Sequence, residues 1–258
     1  MAIESYEVIT NNDIQFALWM YPAAALFLAI VMWALDGMVL DGHLRGRARV
    51  TAFSPDGHVE VSFGDIFAND GWIAIGVNDF FDSQVDERVI SANTLHGQVI
   101  RQFWPNANDK WDEQVAQELA GTVAATEHRE QGKSERYPIG TAAALAAPNG
   151  ERKFIFVALG RTAAGDGVTQ AAAEDVINAA RGLLGKARAV CADEPLNIPL
   201  LGGGLARTGI REQLLLQLVL IGIMEETRVA RITSKIRIVL PPSLASKINL
   251  GAINTHWE

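Results

Sequence analysis

The chain has 258 residues, 49% of them hydrophobic and 20% charged. That composition excludes a disordered chain, and the length fits one large domain, alone or with an appendage. A net charge of −8 removes the basic face that a general nucleic-acid binder needs. The single cysteine, Cys191, excludes an internal disulfide and a cysteine-built zinc site and points to a reducing compartment.

Residues 1–15 carry Glu4, Glu7 and Asp13 and no Lys or Arg. They lack the basic start of a signal peptide. Phe16 to Leu35 follows without a charge, reading FALWMYPAAALFLAIVMWAL. Twenty helical residues rise about 30 Å, the thickness of a bilayer's hydrocarbon core. Trp19, Tyr21 and Trp33 lie near its ends, where amphipathic rings favour the interface. The expectation is a transmembrane helix over 16–35. Residues 36–46 form a juxtamembrane linker, and Arg45, Arg47 and Arg49 supply the first bases after the span. The excess of bases on that side predicts a single-pass protein with its C-terminal domain, residues 47–258, in the cytoplasm and residues 1–15 outside. Ala23, Ala24, Ala25 and Ala29 serve either close helix approach or lipid contact.

Beyond the linker, strand and helix signals alternate. Arg47–Phe53 and His58–Phe63, joined by Ser54-Pro55-Asp56-Gly57, predict a hairpin. Trp72–Val77 (WIAIGV) reads as a buried strand. Residues 107–126 space Trp111, Val115, Leu119 and Val123 at helical intervals, with Asp109 as a cap. The charged stretch 127–136 reads as a solvated loop. KFIFVAL (153–159) reads as a buried strand, 169–188 as a helix, and NIPLL (197–201) as a short strand. A long apolar helix is expected over 208–229, and IRIVL (236–240) as a last strand ended by Pro241-Pro242. This order predicts an α/β fold with a mixed sheet and helices on both faces.

Ligands of such sheets bind beyond the carboxyl ends of strands. Three segments there are unusual. Gly202-Gly203-Gly204 follows NIPLL and precedes a helix, a setting suited to phosphate, with Arg207 as a charged contact. Gly64-Asp65-Ile66 offers a carboxylate that either accepts from an exocyclic amine or caps the next turn. Val77-Asn78-Asp79-Phe80-Phe81-Asp82 offers an amide for a ribose hydroxyl and rings for stacking. His96-Gly97 follows, a histidine more often structural than catalytic beside a glycine that suggests a close backbone approach.

These segments, in this order, resemble the macro domain, a three-layer α/β/α sandwich that binds ADP-ribose. The resemblance implies that Asp65, beside Ile66, holds the adenine amine and that Asn78 faces the distal ribose. Gly202, Gly203, Gly204, Leu205 and Arg207 would wrap the diphosphate. Gly97, next to His96, would belong to the other phosphate-side loop. NDFFDS, ISANTLHG, YPIGTAAA and IPLLGGGLARTG, with the N-terminal span, are similar to the macro-domain membrane effectors of type II Thoeris anti-phage systems of bacteria. That likeness implies a TIR-domain partner that makes an ADP-ribose-derived signal, a homo-oligomer, and injury to the membrane, with no cofactor. Macro domains that remove ADP-ribose carry a second Asn three residues after the first, where this chain has Phe81. Binding rather than hydrolysis is therefore expected. The alternatives are a membrane-anchored ADP-ribosyl hydrolase using Asp79, Asp82 or His96, and a passive reader of ADP-ribosylated proteins.

Overall fold

The computed structural model describes residues 20–40, 46–54, 57–163, 167–204 and 208–253. The chain divides between Arg45 and Gly46 into an N-terminal unit and an α/β unit.

In the N-terminal unit, α1 spans Met20–Leu35 and continues as a π-type turn over Asp36–Leu40. Met20–Met38 has a mean hydropathy of 1.6 and is long and apolar enough to cross a membrane, by length and composition. Core helices of soluble proteins reach similar hydropathy but are buried. Here Leu26, Phe27, Leu28, Ile30 and Met32 are exposed. The part of the expected span before Met20, with Trp19, lies outside the described residues.

The second unit is built on one mixed sheet. Its strands are β1 (Arg47–Ser54), β2 (Gly57–Phe63), β3 (Trp72–Asn78), β6 (Ala142–Ala146), β7 (Lys153–Thr162), β9 (Leu196–Ile198) and β10 (Lys235–Leu240). Their order is β1-β2-β10-β9-β3-β7-β6, with β8 (Thr169–Gln170) paired to β7. β2, β10, β9, β3 and β7 are mutually parallel. The expected hairpin is β1–β2, antiparallel, and β6 is antiparallel to β7. A separate two-stranded ladder joins β4 (Ala125–Thr126) to β5 (Glu135–Arg136). The helices are α2 (Leu95–Phe103), α3 (Asn108–Glu118), α4 (Ala173–Val190) and α5 (Glu212–Val229).

Strand periodicity divides the core in two. On β7, Ile155, Val157 and Leu159 face α4 and α5, while Phe154, Phe156 and Ala158 face α2 and α3. On β3, Ala74 belongs to the first core and Ile73, Ile75 and Val77 to the second. Two-sided burial explains why these strands read as continuous apolar runs. The second core is aromatic: Trp111 meets Phe156 edge-on at 5.5 Å between centroids, and Trp104 lies 5.6 Å from Phe154. Such pairs add roughly 0.5–1.5 kcal/mol each beyond area burial.

Three helices depart from the sequence expectation. The helix expected over 107–126 ends at Glu118 because Gly121 takes a φ of +84°. Val123 is then exposed, and Ala125–Thr126 form a strand. Asp109 lies inside the first turn, and Ala107 holds the cap position without a side-chain bond. The helix expected from residue 169 begins at Ala173, after β8. The helix expected from residue 208 begins at Glu212.

Gly182 of α4 lies against the Gly140 carbonyl, where an added Cβ would come within 1.7 Å of the oxygen, whereas a Cβ at Gly185 meets open space. Gly182→Ala should therefore destabilise by more than about 3 kcal/mol through overpacking. Gly185→Ala should stabilise by up to about 1 kcal/mol through helix propensity. Urea unfolding of the two variants measures both.

Candidate ligand-binding site

Because five neighbouring strands run parallel, their carboxyl ends share one edge of the sheet. Gly64-Asp65-Ile66 follows β2, Asn78 ends β3, Thr162 ends β7, and Pro199–Gly204 follows β9, which lies between β10 and β3. The edge thus brings together Asp65, Ile66, Asn78 and the three glycines.

Asp65 is exposed, and its Oδ1 accepts from the Phe67 N–H at 2.9 Å, capping a short 3-10 turn over Ile66–Ala68. Ile66 is buried against the second core. Capping engages one carboxylate oxygen, so the capping and amine-accepting roles are compatible. Asn78 is buried. Its Nδ2 donates to Asp82 Oδ2 at 2.7 Å, and its Oδ1 accepts from the Asp82 N–H at 3.2 Å. One amide hydrogen remains for a ligand.

Gly202 has a φ of +78°, a conformation that other residues adopt at a cost, and a Cβ on Gly203 would press on Leu200 at 2.8 Å. A Cβ on Gly204 would meet open space. The outermost glycine is therefore exposed and unobstructed at the carboxyl edge. The helix does not follow directly: α5 starts at Glu212, eight positions after Gly204. Leu205 and Arg207 lie outside the described residues.

A profile of the family described as "Thoeris protein ThsA, Macro domain" matches residues 59–241. The chain belongs to this macro-domain family. A relative named Thoeris protein ThsA, from Bacillus amyloliquefaciens, is 30% identical over 88 residues. That alignment covers 32% of this chain and 30% of the relative, about a third of its length. Among solved structures, a point mutant of the Oceanobacillus iheyensis macrodomain with ADPR superposes with a TM-score of 0.56 at 14% identity. It covers 82% of this chain and 97% of that one. The Trypanosoma brucei macrodomain in complex with ADP-ribose gives 0.51 at 8% identity, over 79% and 74% of the two chains. At such identities the superpositions establish the fold.

In this macro domain the remaining expected residues are turned inward. Phe80 and Phe81 are both fully buried, so neither ring faces the cleft, correcting the stacking expectation. Phe81 takes a φ of +49° and packs edge-on against Tyr137 at 5.5 Å. His96 is buried, its ring centroid 5.8 Å from that of Trp111, and its Nε2 has no hydrogen-bond partner. Burial first, and then the charge of Lys133, lower its pKa to about 3. It is therefore a neutral core residue near pH 7. The Gly97 N–H donates to Thr94 Oγ1 at 2.9 Å, and a Cβ there would lie 2.3 Å from the Ser91 carbonyl oxygen. The close approach expected at Gly97 is made to its own chain.

Residues 127–136 are largely the exposed loop expected, and they also form a strap across the end of β3. Asp82 Oδ1 accepts from the Lys133 N–H at 2.7 Å, and Arg129 Nη1 lies 3.0 Å from Asp82 Oδ2. A Cβ on Gly132 would meet Asp82 Oδ1 at 2.6 Å, so the tip fits only glycine without displacement. Asp79 Oδ1 accepts from the Thr162 N–H at 2.9 Å. Arg136 Nε lies 3.2 Å from Asp79 Oδ2, an ion-pair distance without hydrogen-bond geometry. Arg136 also donates to the Thr162 carbonyl. Burial pushes the Asp79 carboxyl up, against the Thr162 bond and the Arg136 charge that pull it down. The guanidinium carbons of Arg129 and Arg136 lie 4.0 and 4.8 Å from the Phe80 ring centroid. The only sequence signal for this strap is the spacing of Arg129, Lys133 and Arg136, which a solvated charge run shares.

Two outcomes follow. Arg129→Ala leaves Asp82 buried without its ionic partner and should destabilise by about 3 kcal/mol, the low end for a broken buried pair because Asn78 and the Lys133 N–H remain. Asp82→Asn in that background should recover part of the loss, read as urea midpoints. For His96, the folded pKa is depressed below the unfolded value, so its contribution is fully present above about pH 6.5 and is lost as pH falls toward about 3. Stability should decline by up to about 1.4 kcal/mol per pH unit in that window. His96→Phe should flatten the decline in urea titrations at pH 7, 5 and 4.

Proposed function

We propose that this protein is a membrane-anchored sensor and effector of bacterial anti-phage defence, whose macro domain binds an ADP-ribose-derived nucleotide. The observation that carries the reading is the convergence of Asp65, Asn78 and Gly202–Gly204 on one sheet edge in a chain of this family. Two proteins of the same fold hold ADP-ribose in their solved structures. Asp65 accepts from the adenine amine through the oxygen that capping leaves available. The second Asn78 amide hydrogen donates to the distal ribose. The backbone at Gly204, continuing to Leu205 and Arg207, wraps the diphosphate. Ile66 supports the adenine side from below, and the Phe81, His96 and Gly97 region fixes the loop positions from the core.

The signal comes from a TIR-domain partner. Its binding favours a self-assembled form of the chain, which requires higher affinity for that form than for the resting one. α1 anchors the protein as a single pass in the bacterial cell membrane, with the macro domain in the cytoplasm, and assembly of the spans disrupts that membrane and kills the cell. A hydrolase needs a side chain that activates water. Asp79 and Asp82 are both engaged by Arg side chains and backbone N–H groups, and His96 is enclosed by aromatic rings. Those contacts support a binding role over hydrolysis. A passive reader would bind the same ligand without assembling.

Calorimetric titration of residues 46–258 with ADP-ribose, NAD and ADP-ribose conjugates tests the site, with recovered ligand weighed by mass spectrometry. Gly204→Val should weaken binding at least about ten-fold, since bulk enters the space against which the ligand backbone approaches, while leaving the melting temperature within about 2 °C. Intact ligand is expected. Cleaved ligand would establish the hydrolase, and unaltered affinity in Gly204→Val would remove the glycines from the site. Dye release from vesicles bearing the full chain, only with ligand present, separates the effector from the reader.

A further inference from the structure

The two faces of the sheet are not equally covered. On the side of α4 and α5, Ala48, Val50, Val59 and Val61 are each no more than 2% exposed. On the other side, the second core takes in β3, β6 and β7, with Val239 its outermost residue on β10. Beyond Val239 that face of β1, β2 and β10 carries charged side chains. The strand register aligns Arg49 with Glu60 and Glu60 with Arg237, and His58 with Lys235. Arg47 is 80% exposed.

The face is net positive in a chain that is net negative. Four cations, Arg47, Arg49, Lys235 and Arg237, stand against two carboxylates among the described residues. Lys235 lies 2.7 Å from Glu60, Arg47 lies 3.8 Å from Glu60, and Arg237 lies 2.8 Å from Asp70. The field is visible at His58, whose imidazole is held below its ordinary range by burial and then by Arg49 and Lys235, with Glu60 opposing and Arg237 adding to the effect. Such an array of cations on a twisted sheet matches a plane of phosphates better than a small ligand, which needs a concave site.

The chain also brings a membrane close. β1 begins seven residues after the turn that ends at Leu40, so at most about 25 Å of extended chain separates them. Arg47 and Arg49 are therefore both flanking charges of the expected span and members of a folded strand.

We propose that the open face of β1, β2 and β10 docks on the anionic lipid headgroups of the membrane that α1 enters. The docking rests on the anchoring role of α1 and adds a second, electrostatic attachment. It holds the sheet against the bilayer while the carboxyl edge stays open to ligand. Basic residues near an anionic surface each contribute about a five-fold preference, so reversing two of them weakens docking by at least about twenty-five-fold.

The test uses the full chain in vesicles of phosphatidylcholine alone or with about 30% phosphatidylglycerol. The native Cys191 is buried and its thiol pKa is pushed up to about 12 by burial and then by Glu194, so an introduced cysteine takes the label alone. Ser62→Cys carries a fluorophore on the open face, and Glu225→Cys carries it on α5 as a control. Headgroup-nitroxide lipid should quench the Ser62→Cys label in the anionic vesicles only. Quenching should fall to the neutral-lipid value in Arg47→Glu/Arg49→Glu and in about 0.5 M salt. The Glu225→Cys label should stay unquenched throughout. Equal quenching in both lipids, or none in a chain that floats with the vesicles, overturns the docking and leaves the anchor standing. A chain that stays in the supernatant overturns both. A label that responds to protein concentration and to no lipid assigns the face to a second copy and overturns the proposal.

Discussion

Parallel strands tolerate little exposure, and β3 and β7 are the longest runs that this domain buries on both faces. Their side chains alternate between an aliphatic core under α4 and α5 and an aromatic core under α2 and α3. That requirement for cover on both faces fixes where the four helices lie. It also aligns five carboxyl ends along one edge, where loops free of the ladder can approach a ligand. Away from β3 and β7 the requirement relaxes. β1 is antiparallel at the sheet's edge, and β2 has a covered side and a charged side.

The carboxyl edge is stiffened by contacts within the chain. Asp79 joins the ends of β3 and β7 to Arg136, and Asp82 joins Asn78 to the strap at Arg129 and Lys133. Phe80 lies against both guanidinium groups and lets two like charges share one small volume. The aromatic residues of the VNDFFD segment therefore act as structure beneath the site, whereas Asp65 and Gly204 remain at its surface. Preorganisation of this kind reduces the ordering that binding must impose.

What the sequence disclosed follows from the physics of each element. WIAIGV and KFIFVAL were legible because a strand buried on both faces must be apolar at every position. The hairpin was legible because Ser-Pro-Asp-Gly favours a turn. α2 was not, since LHGQVIRQF places a histidine and a glycine in its first turn and derives its stability from contacts with Trp111 and Phe156. β6 was not, since AAALA has no preference for strand. The end of α3 was misjudged because Val123 continues the helical spacing while Gly121 breaks the backbone. At the site, Asp65 and the glycines were legible as backbone chemistry. The inward turn of Phe81 and His96 was not, because burial of a ring depends on partners far along the chain.

The place of β10 within the sheet has a consequence for biosynthesis. It inserts between β2 and β9, so β2 gains its parallel partner only from residues about 170 positions later. At about 5–20 residues per second, the β1–β2 hairpin waits roughly 10–35 s for that strand to be made. Throughout that interval β2 presents an unpaired edge, the kind of surface that recruits a neighbouring nascent chain. The charged side chains along it, Glu60 with Arg49 opposite, are of the kind that discourages such edge pairing.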